Sequence, residues 1–309
     1  MAKVTYKLRN WKEYNKALVN RGNLTLWISE ETVQGWYSDV AEVVKKGHPF
    51  YYSDLAIETG LTLRSLFHLP LRQTQGFLAG LTRLMGVEID IPNYSTFSRR
   101  AAGLQIDLGY LRSSKSIDLV VDASGLKVYG EGEWKVRTHG KDKRRTWRKL
   151  HISVDAATQE IVAVSLTPSN VHDSLEMKNL LPKDIDVKDV AADKAYDNRH
   201  AYDPIAAKQA KATIPPRSGA ALTKKPSPGM RLRNNNIREK WKWGAKLWKQ
   251  GRKYHKRSLV ETAFCRYKKT FGERMQTKTL ANQTVEVRLK SKILNGLTHL
   301  GMPKSIKIS

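Results

Sequence analysis

Three acidic residues, Asp122, Asp193 and Glu261, stand where folding could bring them together. Asp122 ends the run Ile117-Asp118-Leu119-Val120-Val121, and Asp193 ends the run from Val187 to Ala192. Such apolar, β-branched runs predict buried strands. Each strand is expected to open into a loop directly after its acid, in the first case at Ala123-Ser124-Gly125. Glu261 lies in a stretch of helical periodicity that starts near Tyr254 and includes Leu259, Val260, Ala263, Phe264 and Tyr267, with Gly272 as its stop. Carboxylates converging from two strand ends and a helix suit Mg²⁺, which takes oxygen ligands and keeps several waters. Two such ions support in-line displacement at phosphorus. The competing explanation for any one aspartate at a strand end is a turn or a cap. Asp118, Asp155, Asp189 and Asp197 are local rivals.

The helix also carries cations. Tyr254, Glu261 and Lys268 are spaced by seven residues, two helical turns each, and Arg257 is one turn from both Tyr254 and Glu261. One face thus presents a phenol, a guanidinium, a carboxylate and an ammonium. The alternative is a solvated face with an Arg257–Glu261 ion pair, worth little in water.

The elements that must hold these residues divide the chain by pattern. From about Ser53 to Gly86 it reads as helical: Leu55, Ile57, Leu61, Leu63, Leu66, Phe67, Phe77, Leu78, Leu81 and Leu84 recur at three- and four-residue steps. Breaks are expected at Gly60, Pro70 and Gly76, and a further helix should start at Asn93 or Ser95. From 113 to 300 the pattern is α/β. Leu150, Ile152 and Val154 form a hairpin with Ile161 to Leu166 across a turn at Asp155 to Thr158, His200 to Ala212 reads as a helix, and Ala212 to Ile214 as a short strand. Residues 217–253 read as a loop or small insertion, basic and rich in tryptophan, without the apolar content for a core of its own.

The formal charge of +26 over 309 residues exceeds what solubility needs and points to a polyanionic partner. Positive charge gathers in two places: around Trp147, with Arg144 and Arg145 among its neighbours, and in the insertion around Trp241, Trp243 and Trp248. Cations give sequence-independent affinity by counterion release, and aromatic faces stack on unpaired bases. Alternatively the tryptophans pack the insertion onto the body. Cys265 is the only cysteine, which excludes an intrachain disulfide and a cysteine-based zinc finger. No segment is apolar enough for a signal peptide or a membrane span, so the expected location is the cytoplasm, with no membrane partner.

The segment Tyr254-His255-Lys256-Arg257-Ser258-Leu259-Val260-Glu261, continued to Lys268, resembles the Y-x₂-R-x₃-E-x₆-K signature of bacterial insertion-sequence DDE transposases, without departure in residue type or spacing. The surroundings of Asp122 and Asp193, together with Arg145-Thr146-Trp147-Arg148-Lys149-Leu150-His151 and Asn170-Val171-His172-Asp173, look like those of the same family. The resemblance implies a ribonuclease-H-like mixed-sheet catalytic domain over 113–300, with the 217–253 insertion, and an N-terminal helical DNA-binding region over 1–112. It implies that Asp122, Asp193 and Glu261 hold two Mg²⁺ ions, with Mn²⁺ as a substitute. Water would nick the transposon end, and the freed 3′-hydroxyl would attack target DNA. Tyr254, Arg257 and Lys268 would contact phosphates near the terminal inverted repeats, and an insertion tryptophan would hold a flipped base. A homodimer or larger assembly on DNA, associated with the nucleoid, is expected. The other classes are a non-catalytic DNA-binding derivative, which need not keep three acids, and an RNA-binding scaffold, which predicts no acid cluster.

Overall fold

The computed structural model describes residues 5–38, 50–112, 114–128 and 147–308. Two compact units emerge: residues 1–106 with 293–309, and residues 107–292.

In the first unit the two ends of the chain pair with each other, strand β1 (Thr5–Leu8) running antiparallel to β7 (Ser305–Ile308). Asn10 secures the join from both sides, its Nδ2 donating to the Met302 carbonyl at 3.0 Å and its Oδ1 accepting from the Lys304 amide at 2.7 Å. Helices α1 (Trp11–Asn20) and α2 (Glu30–Gln34) follow, then three that pack on one another: α3 (Asp54–Leu66), α4 (Leu71–Leu84) and α5 (Tyr94–Ala101). Ser53 caps α3 and Asn93 caps α5, each side chain accepting a first-turn amide.

Of the breaks expected here, only Pro70 lies at an element's boundary, as the N-cap of α4. Gly60 and Gly76 lie inside helices. Packing explains Gly60: a Cβ there would sit 2.3 Å from Phe97 Cε1 and 3.3 Å from Leu78 Cδ1, so the glycine lets α3, α4 and α5 meet closely. Gly60→Ala is therefore expected to cost about 1–3 kcal/mol through overpacking, despite the better helix propensity of alanine. Thermal unfolding checks this. A melting temperature equal to or above wild type would contradict the close packing.

The second unit is built on a sheet that, among the described residues, has the order β4-β3-β2-β5-β6. Its strands are β2 (Ser116–Lys127), β3 (Trp147–Asp155), β4 (Ile161–Pro168), β5 (Asp186–Ala191) and β6 (Lys211–Thr213). The β2-β3-β4 meander is antiparallel, whereas β5 pairs parallel to β2 and β6 parallel to β5. One face packs Ile117, Leu119, Val121, Val190 and Ala192 against α6 (Met177–Leu180) and α7 (Arg199–Ala207). Val120 and Ala191, which point to the other face, are also fully buried, and this burial on both sides is why β2 and β5 read as continuous apolar runs.

Two expectations change. Strand β2 does not end at Asp122: it continues through Ala123, Ser124 and Gly125 to Lys127, because β3 keeps pairing with it as far as Trp147. The small residues suit a strand whose surface is covered, since a Cβ on Gly125 would lie 3.2 Å from the Trp147 ring. Residues 217–253 are also not simply a loop. Helix α8 (Pro228–Gly251) fills most of them, turning at Gly244, whose φ of 74° is one that glycine adopts freely. Its surface is charged and aromatic, which hides a helical period. Helix α9 (Ser258–Phe271) then packs against β2 and β3 and stops at Gly272, φ 76°. The chain continues into α10 (Leu280–His299).

Candidate active site

Strand β2 outruns its parallel neighbour. The β2–β5 register ends at Val120 opposite Ala191, so two further steps bring Asp122 on β2 level with Asp193, just past β5. Asp122 is thus a mid-strand residue on its β3 side and an edge residue on its β5 side. Its Oδ1 accepts from the Ala123 amide at 2.8 Å and its Oδ2 from Arg257 Nη2 at 3.0 Å. Asp193 also caps the 3₁₀ turn Lys194–Tyr196, its Oδ1 accepting from the Ala195 amide at 2.8 Å.

The two carboxylates feel each other. Burial raises the Asp122 pKa above the ordinary aspartate value, and Asp193 adds to the rise against the pull of the Ala123 amide and Arg257. Tyr196, buried behind them, is pushed well up, first by burial and then by Asp122, Asp173 and Asp193.

Glu261 enters from α9, and Arg257 stands between it and Asp122. One guanidinium reaches both, Nη1 to Glu261 Oε1 at 2.6 Å and Nη2 to Asp122 Oδ2 at 3.0 Å. The Arg257–Glu261 ion pair of the solvated-face alternative therefore exists, but it is one half of a bridge into the sheet. Burial lowers the Arg257 pKa, and Asp122 first among its neighbours more than restores it. Among the described residues, no three His, Cys, Asp or Glu side chains lie close enough to share an ion. The donor set nonetheless suits a divalent cation. Two carboxylates share a single guanidinium, a third lies within electrostatic range of Asp122, and Asp122 is buried at a cost in charge that a cation offsets.

The rest of the expected constellation is spread along the same segment. Tyr254 lies in a 3₁₀ turn, Tyr254–Arg257, ahead of α9 rather than within it. That turn starts after Lys253, which has a left-handed φ of 51°. The Tyr254 ring centroid is 6.2 Å from that of Trp248, under Lys249, and burial raises its hydroxyl pKa, with Arg257, Asp193, Asp122 and Glu261 all in electrostatic range. Lys268 lies farther along α9 and pairs with Glu273 at 3.5 Å, close to the far end of β2, whose Lys127 pairs with the same carboxylate. Trp147 opens β3 and lies beside Lys127, while Arg144 and Arg145 fall outside the described residues.

The rival aspartates all have structural partners. Asp155 shapes its turn through the Ala157 amide and accepts from the Tyr110 hydroxyl at 2.8 Å. Asp197 is buried and takes the Arg217 amide and the Arg233 guanidinium, tying α8 to the turn after Asp193. Asp118 and Asp189 share Lys256. That lysine escaped the sequence reading, because a charge beside Arg257 carries no spacing signal, and its partners lie 138 and 67 residues away. Lys149 donates to Asp173 at 2.8 Å and so joins two of the segments singled out above.

The tryptophans separate cleanly. Trp248 is buried, at 1% exposure, whereas Trp241 and Trp243 are 62% and 44% exposed. They sit at the elbow of α8, where residues 241–247 are all exposed, and the elbow is held closed by Arg252 donating to both oxygens of Glu239 at 2.8 and 2.7 Å.

No helix of the described residues is long and apolar enough to cross a membrane. No solved structure matches the chain. A family model described as transposase DDE domain matches residues 113–295, and a second with the same description matches residues 19–131. Members of this family act on DNA and generally use divalent metal ions. With an aspartate and a helical glutamate bridged by one arginine, and a second aspartate level with the first, all inside the longer match, the chain belongs to the transposase DDE domain family.

Proposed function

We propose that this chain is an insertion-sequence transposase that cleaves DNA at terminal inverted repeats and joins the freed 3′-hydroxyl to target DNA. The observation that carries the reading is the Asp122–Arg257–Glu261 bridge beside Asp193. It joins two of the three acids to the arginine of the signature, and the strand register sets Asp193 level with Asp122. The alternative of a non-catalytic derivative finds less support, since such a protein has no need to keep all three acids. The order β4-β3-β2-β5-β6 favours a ribonuclease-H-like catalytic domain, which we assign to 113–300, and the mutual packing of α3, α4 and α5 favours a DNA-reading region within 1–112.

In this reading Asp122, Asp193 and Glu261 hold two Mg²⁺ ions, with Mn²⁺ able to replace them. When bound, the ions activate the attacking oxygen and neutralise charge on the leaving one. The protein's own groups position the DNA. Arg257 grips a phosphate with its planar fork, Lys268 supplies a point charge, and Tyr254 donates a hydroxyl. Trp147, with Arg144 and Arg145, adds a basic aromatic surface. Trp241 and Trp243 stack on an unpaired base at the transposon end. Trp248 is reserved for packing. Two DNA ends call for a homodimer or larger assembly on DNA.

The test is incubation of inverted-repeat DNA with Mg²⁺ and the wild type, Asp193→Asn or Glu261→Gln. Wild type should release 3′-hydroxyl ends, and each variant should bind the ends but cut at least about 10³-fold more slowly, the loss of several kcal/mol of charge stabilisation. Equal cutting by wild type and either variant would overturn the assignment.

A further inference from the structure

A second pair of aspartates lies on β2 and β5, four residues before Asp122 and Asp193 respectively. Asp118 and Asp189 are register partners across β2 and β5. Four residues along a strand return to the same face, so Asp118 and Asp122 share the face away from Leu119 and Val121. Two consecutive cations on the turn before α9 address these two levels. Arg257 meets Asp122, and Lys256 Nζ donates to Asp189 Oδ2 at 2.6 Å and to Asp118 Oδ2 at 3.1 Å. The Asp189 carboxylate is held in turn by Thr213 Oγ1 on β6, at 2.9 and 3.0 Å from its two oxygens. Lys256 and Asp189 side chains are only 14% and 12% exposed, so the tie is poorly screened and geometrically confined.

We infer that Lys256 is a positioning residue for the cleavage reaction. It bolts the Tyr254–Arg257 turn onto β2 and β5, and so sets where Arg257 and the first turn of α9, with Glu261, come down over Asp122. The argument is geometric. Residues 256 and 257 are adjacent, so fixing one on the sheet confines the other, and Glu261 follows Arg257 by one helical turn. Lys256 thereby adds to the Arg257–Asp122 pair and the Tyr254–Trp248 packing in holding this junction, where the chain leaves α8 through the left-handed Lys253. The same contact occupies the rival acid pair with a fixed ammonium, as Arg257 occupies Asp122 one level farther on.

The inference rests on the proposed acid site, and four variants separate the two ideas. Lys256→Met should bind inverted-repeat DNA within about threefold of wild type but lower the single-turnover cleavage rate about 10–100-fold, the range expected when a reacting group is displaced by about 1 Å. It should also raise the Mg²⁺ concentration needed for half-maximal rate. Lys256→Arg, which still reaches two carboxylates, should come back to within about threefold. The double variant K256M/D189N removes the unpaired buried charge and should melt near wild type, yet remain as slow as Lys256→Met. Recovery of cleavage in the double variant would show that Lys256 merely neutralises the acids, and equal loss in Lys256→Met and Lys256→Arg, or a wild-type rate in Lys256→Met, would equally overturn the positioning role. Asp193→Asn, run alongside, reports on the acid site: a wild-type rate there sinks that assignment, whereas its loss together with a fast K256M/D189N sinks only the present inference.

Discussion

Asp122→Asn is expected to abolish cleavage of inverted-repeat DNA while making the protein more stable. Burial raises the Asp122 pKa, with Asp193 adding to it and the Ala123 amide and Arg257 pulling the other way. The sign follows from linkage. An acid that holds its proton more tightly folded than unfolded costs stability wherever it is ionised, and that cost is relieved as pH falls through its folded value, above the ordinary aspartate range. A neutral amide of the same shape removes the cost at neutral pH. In chelator the variant should therefore melt above wild type, by about 2–4 °C for each kcal/mol relieved in a unit of this size. The difference should shrink as the pH is lowered and wild-type Asp122 takes up its own proton. Mg²⁺ or Mn²⁺ should raise the wild-type melting temperature and leave the variant nearly unmoved. Cleavage should fall by about 10³-fold or more. A variant that melts lower at neutral pH, or cuts within tenfold of wild type, would contradict the view that function is placed here at a cost in stability.

How far the site was legible follows from the range of each interaction. Asp122 and Asp193 could be found because the strands beneath them are covered on both faces and leave unbroken apolar runs. Glu261 and Arg257 could be paired because one helical turn is a local spacing. The second partner of Arg257, Asp122, is 135 residues away and leaves no trace in local pattern. The continuation of β2 beyond Asp122 was missed for a related reason: Ala123, Ser124 and Gly125 look like a loop until β3 is known to pair with them and Trp147 to lie against Gly125. Helix α8 was hidden because its charged and aromatic surface leaves few apolar positions to show a period, and its elbow needs Gly244. The β1–β7 pairing joins opposite ends of the chain, and Gly60 resembles a helix break in local pattern although it serves a close approach of helices. Local chemistry was readable; what the fold brings in from a distance was not.

Arg257 carries the other large effect, because it serves two partners that compete. As the structure stands, its guanidinium neutralises Asp122 and Glu261, whereas the proposed reaction asks the same fork to grip a phosphate. Entry of a divalent cation among the acids has to displace or crowd that guanidinium, and a phosphate offers it an alternative partner. DNA binding and filling of the acid site should then favour each other. Arg257→Met removes the competitor, so Mn²⁺ should bind the DNA-free variant about tenfold more tightly than wild type, a change of ~1.4 kcal/mol. That is well below the ~4 kcal/mol of a pair 4 Å apart at an effective dielectric of 20, because Arg257 and Glu261 are partly exposed, with side chains 25% and 56% accessible. The same variant should lose affinity for transposon ends by about tenfold or more, the contribution of one charge-assisted phosphate contact. It should also cleave about 10²-fold or more slowly. Arg257→Lys, a single point charge that cannot span both acids, should fall between the two in Mn²⁺ affinity. Calorimetric titration of Mn²⁺ into the DNA-free proteins decides the matter: unchanged or weaker binding in Arg257→Met would mean that the arginine does not compete with the metal, and the bridge would then be a fixed support for the acids.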